Sequence, residues 1–507
     1  MGGPAPAFLD DDVLLSGPTA RELYHHTARH APIVDFHSHL AAADVAGDRA
    51  YGTLTELWLS EDHYTWRAMR LAGVDEALVT GGADPWDTFA AWASTMPRLV
   101  GNPLHLWGHL ALRRVFGIDL ALHPGTAREI WDEANRQLPR LRAQALLARF
   151  GVELLATTDD PGDDLAAHLR LRDERPEGVP SVVPTWRPDE AHRLLADPPG
   201  WNAWADRLQE VTGVAVVDLE SLAAALQVSL ARFGALGARC SDHGLLCVPD
   251  RDRDQQAADA AVRLARRGVR PAPEQRRALA LEVVWLAARR AHQDGTVVQL
   301  HLGARRDVSP RILAAAGRDA GGDATADVRQ EPGLRRLLAG LEEAGCLPRT
   351  VLYNLHPADG AVVASLAGAF SRPGVRGLVQ WGPPWWFNDH EDGIRRHLAT
   401  LSAVGQLGAF VGMVTDSRSI LSMVRHEVFR RVLCDVVGRQ VDEGRLPAGG
   451  PWLSQLVGDV CAGNARRYLG IEPPSPERPH AERLPPELPH AAQLPPERGP
   501  RERPQDG

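Results

Sequence analysis

The chain has 507 residues, a formal net charge of −9 and an isoelectric point near 6.1. With 44% hydrophobic and 24% charged residues, and no apolar run close to the roughly 18 residues of a membrane span, its composition is typical of a soluble globular protein. The excess of acidic residues argues against nucleic acid as a partner, because phosphate binding requires a clustered positive surface.

Eight short segments combine β-branched and apolar residues with polar groups at their carboxyl ends. Each is predicted to be a buried parallel strand, because apolar and polar residues do not alternate cleanly. Helical stretches such as 256–267 and 392–404 lie between them and complete βα units. Eight such units predict an α/β fold, a distorted (β/α)8 barrel of the TIM type. The eight segments are 32–40, 152–160, 181–189, 238–246, 296–306, 350–357, 376–386 and 409–419.

The chain is expected to divide into four parts. The stretch 41–150 is longer than a normal βα loop and has apolar residues at helical spacing, which predicts a helical insertion that caps the barrel mouth. From residue 472 the sequence is rich in proline, glutamate and arginine, which predicts a disordered tail. The predicted parts are an N-terminal helical segment at 1–31, the barrel at 32–40 and 151–470, the insertion at 41–150 and the tail at 472–507.

Several residue types limit the chemistry. All basic residues are arginine, and the absence of lysine excludes a Schiff-base lysine, a P-loop lysine and a carbamylated lysine bridging two metals. The five cysteines form no CxxC pair and are interpreted as reduced, structural residues of a cytoplasmic protein. Aspartates at 10–12 stand where a secretion signal would need an apolar run, so no export is expected.

Polar residues at the carboxyl ends of the predicted strands are candidates for an active site, since reactive groups of a barrel collect at that end. His37 and His39 end the first strand and, being two residues apart, face the same side and could bind one ion. Asp416 ends the eighth strand, beside the first in a closed barrel, and is predicted to complete a His₂–carboxylate site for one divalent metal ion, with Zn²⁺ preferred. The alternative role for Asp416 is a helix N-cap.

A co-linear series of motifs runs through the chain: DFHSHL, EDHYTWRAMR, ATTDDP, TWRPD, CSDHGL, QLHLGARR, PPWWFNDHEDG, FVGMVTDSRS and MVRHEVFRRVLCDVVG. From about residue 8 to 470 the series resembles the uronate isomerase family, also called glucuronate isomerase, of the amidohydrolase superfamily. The resemblance implies a hexuronate as small-molecule partner, with interconversion of D-glucuronate and D-fructuronate and of D-galacturonate and D-tagaturonate. It also implies that the metal holds the open-chain substrate rather than chiefly generating hydroxide.

An aldose–ketose isomerisation moves a proton from C2 to C1 through an enediol and a second proton between the two oxygens. By resemblance, His63 and Tyr64 on the insertion lie over the substrate and act as acid and base together with Asp416. The residue that removes the C2 proton is left open. His301 is a further candidate, either as a metal ligand or as a hydrogen-bond partner of the metal-bound group.

A substrate carboxylate needs fixed cations, and the planar fork of arginine suits bidentate binding. Arg187, Arg306 and Arg418 are predicted for this role because each stands at a strand end. The further candidates for substrate contact are Asp242, His243 and Trp385. His356 and His426 are interpreted as structural, and a solvated or structural role is expected for Arg67, Arg113 and Arg114 on the insertion.

Two other functions stay open at this point. A mononuclear hydrolase of the same superfamily would direct metal-bound hydroxide at a carbonyl group. An inactive sugar-acid binding protein would keep the fold without turnover. Nucleic-acid and membrane partners are not expected, and assembly into a homo-oligomer is left open.

Overall fold

The computed structural model describes residues 8–174 and 178–471, and the tail predicted at 472–507 lies outside them. Helices and strands alternate through most of this range, so the fold is of the mixed α/β class. The strands are β1 Ile33–Asp35, β2 Val152–Ala156, β3 Ser181–Val183, β4 Cys240–Leu245, β5 Val297–Leu302, β6 Ala304–Arg305, β7 Ala324–Thr325, β8 Arg349–Asn354 and β9 Val379–Trp381.

Helices occupy more of the described chain than strands, and short 3₁₀ and π turns extend several of them. The α-helices are α1 Pro18–His26, α2 Ala42–Ala46, α3 Leu54–Leu59, α4 His63–Leu71, α5 Pro85–Thr95, α6 Pro103–Ala111, α7 Ala127–Gln137, α8 Ala143–Arg149, α9 Ala166–Glu174, α10 Glu190–Arg193, α11 Pro198–Thr212, α12 Leu219–Ala235, α13 Gln255–Arg266, α14 Pro273–Asp294, α15 Pro310–Ala316, α16 Glu331–Glu343, α17 Gly360–Ala369, α18 Glu391–Val404, α19 Val424–Asp442, α20 Pro451–Gly458 and α21 Asn464–Leu469.

The strands form two parallel sheets and one short antiparallel pair. One sheet has the order β1-β2-β3 and the other has the order β4-β5-β8-β9, while β6 and β7 pair antiparallel. In the second sheet, His301 on β5 lies opposite Gly244 on β4 and Tyr353 on β8. Because parallel strands end at a common edge, polar residues after several strands come together there.

Isolated bridges connect the two sheets at Trp186, just beyond β3. Trp186 forms one parallel bridge with Asp159 and another with Ser241. Its backbone N–H donates to Cys240 O at 3.3 Å, and its carbonyl accepts from Asp242 N at 2.9 Å. The chain just beyond the carboxyl ends of β2 and β3 therefore lies beside the first residues of β4.

Segment 409–419, predicted as the eighth strand, forms no strand in the described structure, so that prediction is wrong. Gly412 has φ +85°, and a Cβ added there would lie 2.3 Å from Val460 O, so the chain bends away from extended geometry where another backbone approaches closely. Asp416 also adopts a left-handed conformation, with φ +47°. Extended pairing is interrupted at both positions.

Segment 409–419 is held by hydrogen bonds between side chains and its backbone, instead of by pairing with a neighbouring strand. Gln380 on β9 donates to Ala409 O at 2.8 Å and accepts from Val411 N at 3.2 Å. On the other side, Asp35 of β1 accepts from Thr415 N at 2.9 Å. Segment 409–419 therefore lies between β9 and β1 although it belongs to neither sheet.

We expect Gln380→Leu to lower the free energy of unfolding by about 2–5 kcal/mol. The buried Ala409 carbonyl and Val411 N–H would both lose their partners, and each unsatisfied buried group costs about 1–3 kcal/mol. Urea unfolding measures the loss. The same change at Gln455, which is exposed on α20, should cost little, and equal losses at both sites would contradict the proposed contact.

Regular structure between β1 and β2 consists of α2 to α8, and α1 lies against α19. The larger part of the hydrophobic core surrounds the sheets, while a second cluster lies among α11 to α14 and includes Trp201, Trp204 and Phe233. None of the helices in the described part of the chain is long and apolar enough to cross a membrane.

Candidate metal centre and active site

The two histidines after β1 converge on Asp416. His37 Nε2 and His39 Nε2 each lie 3.0 Å from Asp416 Oδ1. Two backbone hydrogen bonds bring the segments after β1 and around Asp416 together. Asp416 N donates to His37 O at 3.0 Å, and His39 N donates to Ser417 O at 2.9 Å. The left-handed conformation of Asp416 is one that aspartate tolerates better than most residues.

A second group of possible ligands shares His37 with the first. His301 Nδ1 lies 2.6 Å from Asp242 Oδ1, and His37 Nδ1 lies 3.9 Å from Asp242 Oδ2. The rings of His37 and His301 are 4.4 Å apart. The two groups, one of His37, His39 and Asp416 and one of His37, Asp242 and His301, each have ligand atoms within 4.8 Å of one another.

The first of these groups fits a divalent metal ion. Ligand atoms around a tetrahedral ion with bonds of about 2.0–2.2 Å lie about 3.3–3.5 Å apart, close to the 3.0 Å between Asp416 Oδ1 and each Nε2. Asp416 Oδ2 and His301 Nε2 are buried without a hydrogen-bond partner in the described structure, which is uncommon unless a further group binds. Two imidazoles and a carboxylate suit Zn²⁺ or a similar ion.

Electrostatics keeps Asp416, Asp242 and His39 in metal-binding protonation states. For His37, burial would lower the pKa, but Asp242 and Asp416 raise it above its usual value. Burial would raise the pKa of Asp416, but hydrogen bonds from His37 and His39 hold it well below its usual value. Burial would likewise raise the pKa of Asp242, but Arg187 and His301 hold it well below the usual range. Burial lowers the pKa of His39 to about 4, so this imidazole is neutral at physiological pH.

A cavity of about 210 Å³ opens beside the histidines and Asp416. Its walls come from the ends of the strands, from α4 and from the irregular segments that follow β5 and β9. The lining residues are His39, His63, Thr158, Asp159, Asp160, Arg187, Asp189, Glu190, Arg193, His301, Arg306, Asp319, Trp385, Trp386, Asp416 and Arg418. The volume and the charged walls suit a small, polar molecule.

The arginines of this cavity differ in how far they are neutralised. Arg187 lies 3.0 Å from Asp189 Oδ2 and 2.9 Å from Asp242 Oδ2. Arg306 Nη1 lies 2.9 Å from Asp319 Oδ1 and also contacts Asp323. Within the described part of the chain, the one ion pair of Arg418 is distant, 3.9 Å from Asp319 Oδ2. Its charge is therefore the most available of the three to a bound anion.

Helix α4 brings His63 into the cavity wall. The helix begins at His63 because Asp62 is its N-cap and accepts from Tyr64 N at 2.9 Å and Thr65 N at 3.4 Å. The His63 and Tyr64 rings stack at 4.4 Å, but Tyr64 does not line the cavity, and its buried Oη has no hydrogen-bond partner in the described structure.

Burial sets the protonation of this pair. It lowers the pKa of His63 to about 3, assisted by Arg418, so the imidazole is neutral and can accept a proton. Burial also raises the pKa of Tyr64 above its usual value, so the phenol keeps its proton and can donate a hydrogen bond. The two groups are thus ready for opposite roles.

Two tryptophans after β9 form one wall of the cavity. Trp385 meets the His301 ring edge-on at 4.9 Å, and Trp386 lies beside the His63 ring at 5.9 Å. Both are buried, and the Arg306 guanidinium lies 4.5 Å from the Trp386 ring. The wall therefore orders both a histidine and an arginine.

Some predicted residues lie outside the cavity wall. Asp242 is fully buried behind it, where it contacts Arg187 and His301. His243, its neighbour on β4, points the other way, with Nε2 3.3 Å from Ser241 Oγ. Adjacent strand residues face opposite sides, so only one of the pair can be directed towards the site.

The side chains interpreted as structural also lie elsewhere. Arg67 donates to the carbonyl of Asp323 at 2.9 Å, and Arg114 pairs with Glu427 at 2.7 Å. His356 accepts from Ala358 N as a helix cap. None of them is part of the cavity wall.

Sequence reasoning missed several acidic and basic residues of the cavity. Asp189 and Arg193 follow Arg187 closely, and a reading of the whole TWRPDEAHR stretch would have included both. Asp319 lies in an irregular segment between α15 and β7, away from any strand end. The only signal there is the glycine-rich turn sequence GRDAGG.

Comparison with known proteins identifies the family. The family model described as glucuronate isomerase matches residues 6–469. A uronate isomerase of Vibrio vulnificus is 43% identical over 468 residues, covering 91% of this chain and 98% of that protein. A uronate isomerase of Geobacillus thermodenitrificans is 39% identical over 466 residues, covering 92% and 99%.

Solved structures agree with these relatives. The uronate isomerase of Thermotoga maritima superposes with a TM-score of 0.85 at 35% identity, covering 92% of this chain and all of that chain (100%). The glucuronate isomerase of Caulobacter crescentus gives a TM-score of 0.82 at 26% identity, covering 92% and 98%. The chain therefore belongs to the glucuronate isomerase family.

Proposed function

We propose that this protein is a uronate isomerase that interconverts D-glucuronate with D-fructuronate and D-galacturonate with D-tagaturonate. The observation that carries the proposal is one cavity lined by a possible metal centre, by arginines and by a neutral histidine. Membership of the glucuronate isomerase family supports the same reaction. The substrate is a sugar acid small enough for the cavity.

The scaffold for this site is a distorted (β/α)8 barrel as found in the amidohydrolase superfamily. The bridges at Trp186 support a connection between the two sheets, and Gln380 and Asp35 support closure through segment 409–419. Within the described residues, we assign 8–31 of the predicted 1–31 to an N-terminal helical segment and 41–150 to a helical insertion over the barrel mouth. We assign 32–40, 151–174 and 178–470 to the barrel. The insertion supplies His63 from α4.

His37, His39 and Asp416 would hold a single divalent ion, with Zn²⁺ the preferred candidate. When bound, such an ion supplies Lewis-acid attraction for the carboxylate and hydroxyl oxygens of the open-chain sugar acid. The hydrogen bond that His301 Nδ1 donates to Asp242 fixes the ring and leaves Nε2 as its free polar atom at the cavity. A carboxylate behind a histidine orients the ring in many metal sites.

The arginines bind the substrate carboxylate. Arg418 carries the least neutralised charge of the three predicted arginines, and Arg306 lies across Asp319 from it. Arg187 is committed to Asp189 and Asp242, so it contributes mainly by keeping both carboxylates ionised. A fixed guanidinium loses little entropy when it receives a carboxylate.

Proton transfer requires a base at C2 and a donor at the oxygens. His63 is neutral and lines the cavity, and Asp416 lines the same cavity. One of these groups takes the proton from C2 and returns it to C1, while the hydroxyl proton passes from O2 to O1. Tyr64, stacked on His63, keeps its phenolic proton and steadies that ring.

A hydrolase of the same superfamily is not favoured. The family matched over most of the chain is an isomerase family, and the absence of lysine excludes the carbamate-bridged form. An arginine-lined cavity also suits an anionic substrate better than a neutral amide or ester.

Metal removal and substrate choice test the proposal together. The chelated protein should convert neither D-glucuronate nor D-galacturonate, and adding back one divalent metal at a time should restore ketose formation. D-Glucose is the matched control, because it has the same stereocentres and lacks the carboxylate, and its turnover should be at least about 100-fold lower. Absence of ketose from both uronates with every metal would refute the proposal.

A further inference from the structure

The turn Asp319–Asp323, between α15 and β7, contacts both the arginines of the cavity and the helix that carries His63. We refer to it as the 319–323 turn. It contains no proposed metal ligand or proton-transfer group.

On one side the turn is bonded to α4. Arg67 Nη1 donates to Asp323 O at 2.9 Å and to Gly321 O at 3.3 Å, and Arg70 donates to Ala320 O. Residues three apart share a helix face, so both arginines reach the turn from one face of α4. Three backbone carbonyls of the turn are thereby bonded to the helix.

The backbone of the turn packs closely against the backbone of α4 at Gly321. This residue has φ +84°, and a Cβ built on it would lie 2.7 Å from the backbone oxygen of His63 and 3.5 Å from Arg67 N. Real Cβ atoms essentially never come within 3.0 Å of another heavy atom, and backbone cannot move aside cheaply. Only glycine permits His63 to lie at this distance from the turn.

On the other side the turn contacts the substrate-binding arginines. Asp319 Oδ1 lies 2.9 Å from Arg306 Nη1, and Asp323 Oδ2 lies 3.1 Å from the same atom. Arg418 Nη1 also donates to the Asp319 carbonyl at 3.4 Å. Burial would raise the pKa of Asp319, but Arg306 and Arg418 hold it below its usual value, so the carboxylate is charged.

We propose that the 319–323 turn is a positioning element that sets the distance between His63 and the arginine pair, with Gly321 as the positioning residue. Arg306 and Arg418 bind the carboxylate end of the substrate, and His63 is a candidate for proton transfer between C2 and C1. One short turn contacts both the arginine pair and His63. A change in how the turn packs against α4 therefore alters proton transfer more than substrate binding. The inference rests on the function proposed above for His63.

Three glycine-to-alanine variants separate the collision with the His63 backbone from the effects of backbone strain and of an added methyl group. Gly321→Ala introduces both a strained φ and the collision with His63. Gly317→Ala also places a Cβ at a positive φ, +79°, but with nothing within 4 Å of it. Gly322→Ala, without positive φ, brings the Cβ to 3.4 Å from Ile312, which is an ordinary contact.

We expect Gly321→Ala to lower kcat for D-glucuronate by about 10- to 100-fold, because small misplacements of reacting groups have effects of this size. KM and bound metal should stay within about threefold of the parent values. The two control variants should keep kcat within about twofold. Hydrogen–deuterium exchange should become faster in peptides covering 63–71 for Gly321→Ala alone.

Equal kcat and equal exchange in the Gly321 and Gly317 variants would overturn the inference. If Gly321→Ala does not fold, Arg67→Gln takes its place and should show the same kcat loss, with rescue by Arg67→Lys, which can still donate to Asp323 O. A loss that Arg67→Lys does not repair would also overturn it. If the parent makes no ketose, the proposed function fails, while the exchange data still decide whether the turn holds α4.

Discussion

Asp416→Asn is expected to lower kcat/KM for D-glucuronate by about 1,000-fold or more. Asp416 Oδ1 is within 3.0 Å of both His37 Nε2 and His39 Nε2, and an amide at this position removes the negative charge of the proposed metal site. The same change removes a candidate proton acceptor from the cavity. Steady-state kinetics and metal content by elemental analysis measure the two effects.

Asp435→Asn is the matched control for altering a buried carboxylate. Asp435 is fully buried but pairs with Ser16 and Arg395, away from the cavity wall. The control should retain its metal and most of its activity, even if it loses stability. A similar activity in both variants, after correction for the folded fraction, would remove Asp416 from the site.

His63→Asn should lower kcat by about 100- to 10,000-fold and leave KM within a few-fold, since a positioned proton-transfer group contributes about this much. Asparagine keeps hydrogen-bonding capacity but cannot take a proton in this pH range. Burial lowers the pKa of His63 to about 3, so its protonation should produce no inflection in the parent kcat profile above about pH 4. Kinetics from pH 5 to 8 test both statements.

His243→Asn provides the contrast. The sequence places His243 among the candidate substrate contacts, but its ring lies beside Trp186 and its Nε2 is 3.3 Å from Ser241 Oγ. We expect kcat and KM to change by less than about tenfold in the folded protein. A loss as large as that of His63→Asn would contradict this separation of roles.

The sequence predicts the candidate metal ligands more completely than the other residues that line the cavity. An HxH motif on one strand face and an aspartate at the end of a neighbouring segment predict convergence, and His37, His39 and Asp416 do lie together. The path of segment 409–419 could not be predicted in the same way. Its bend depends on the close approach of Val460 O to Gly412, which is a tertiary contact without a local pattern.

The direction of Asp242 and His243 illustrates a second limit. Both faces of a buried parallel strand are apolar, so the sequence does not indicate which of two adjacent polar residues faces the site. The structure directs Asp242 towards His301 and Arg187, and His243 away from them. Pairing with neighbouring strands decides this, through contacts far apart in sequence.

The 319–323 turn illustrates a third limit. Its residues follow no strand and have no periodic pattern, so a search for polar strand ends passes over them. Asp319 matters through its contact with Arg306, which follows β6. Gly321 matters through its close approach to His63 on α4. Such contacts between distant parts of the chain require coordinates.

The most direct test of the central claim is proton transfer from C2 to C1 of D-glucuronate. The metal-loaded protein is incubated with D-glucuronate in D₂O, and the products are followed by NMR. Isomerisation through an enediol predicts D-fructuronate whose new C1 hydrogen is the proton returned from C2 or, where the transferring group has exchanged with solvent, deuterium. Absence of any ketose from the metal-loaded protein would contradict the account.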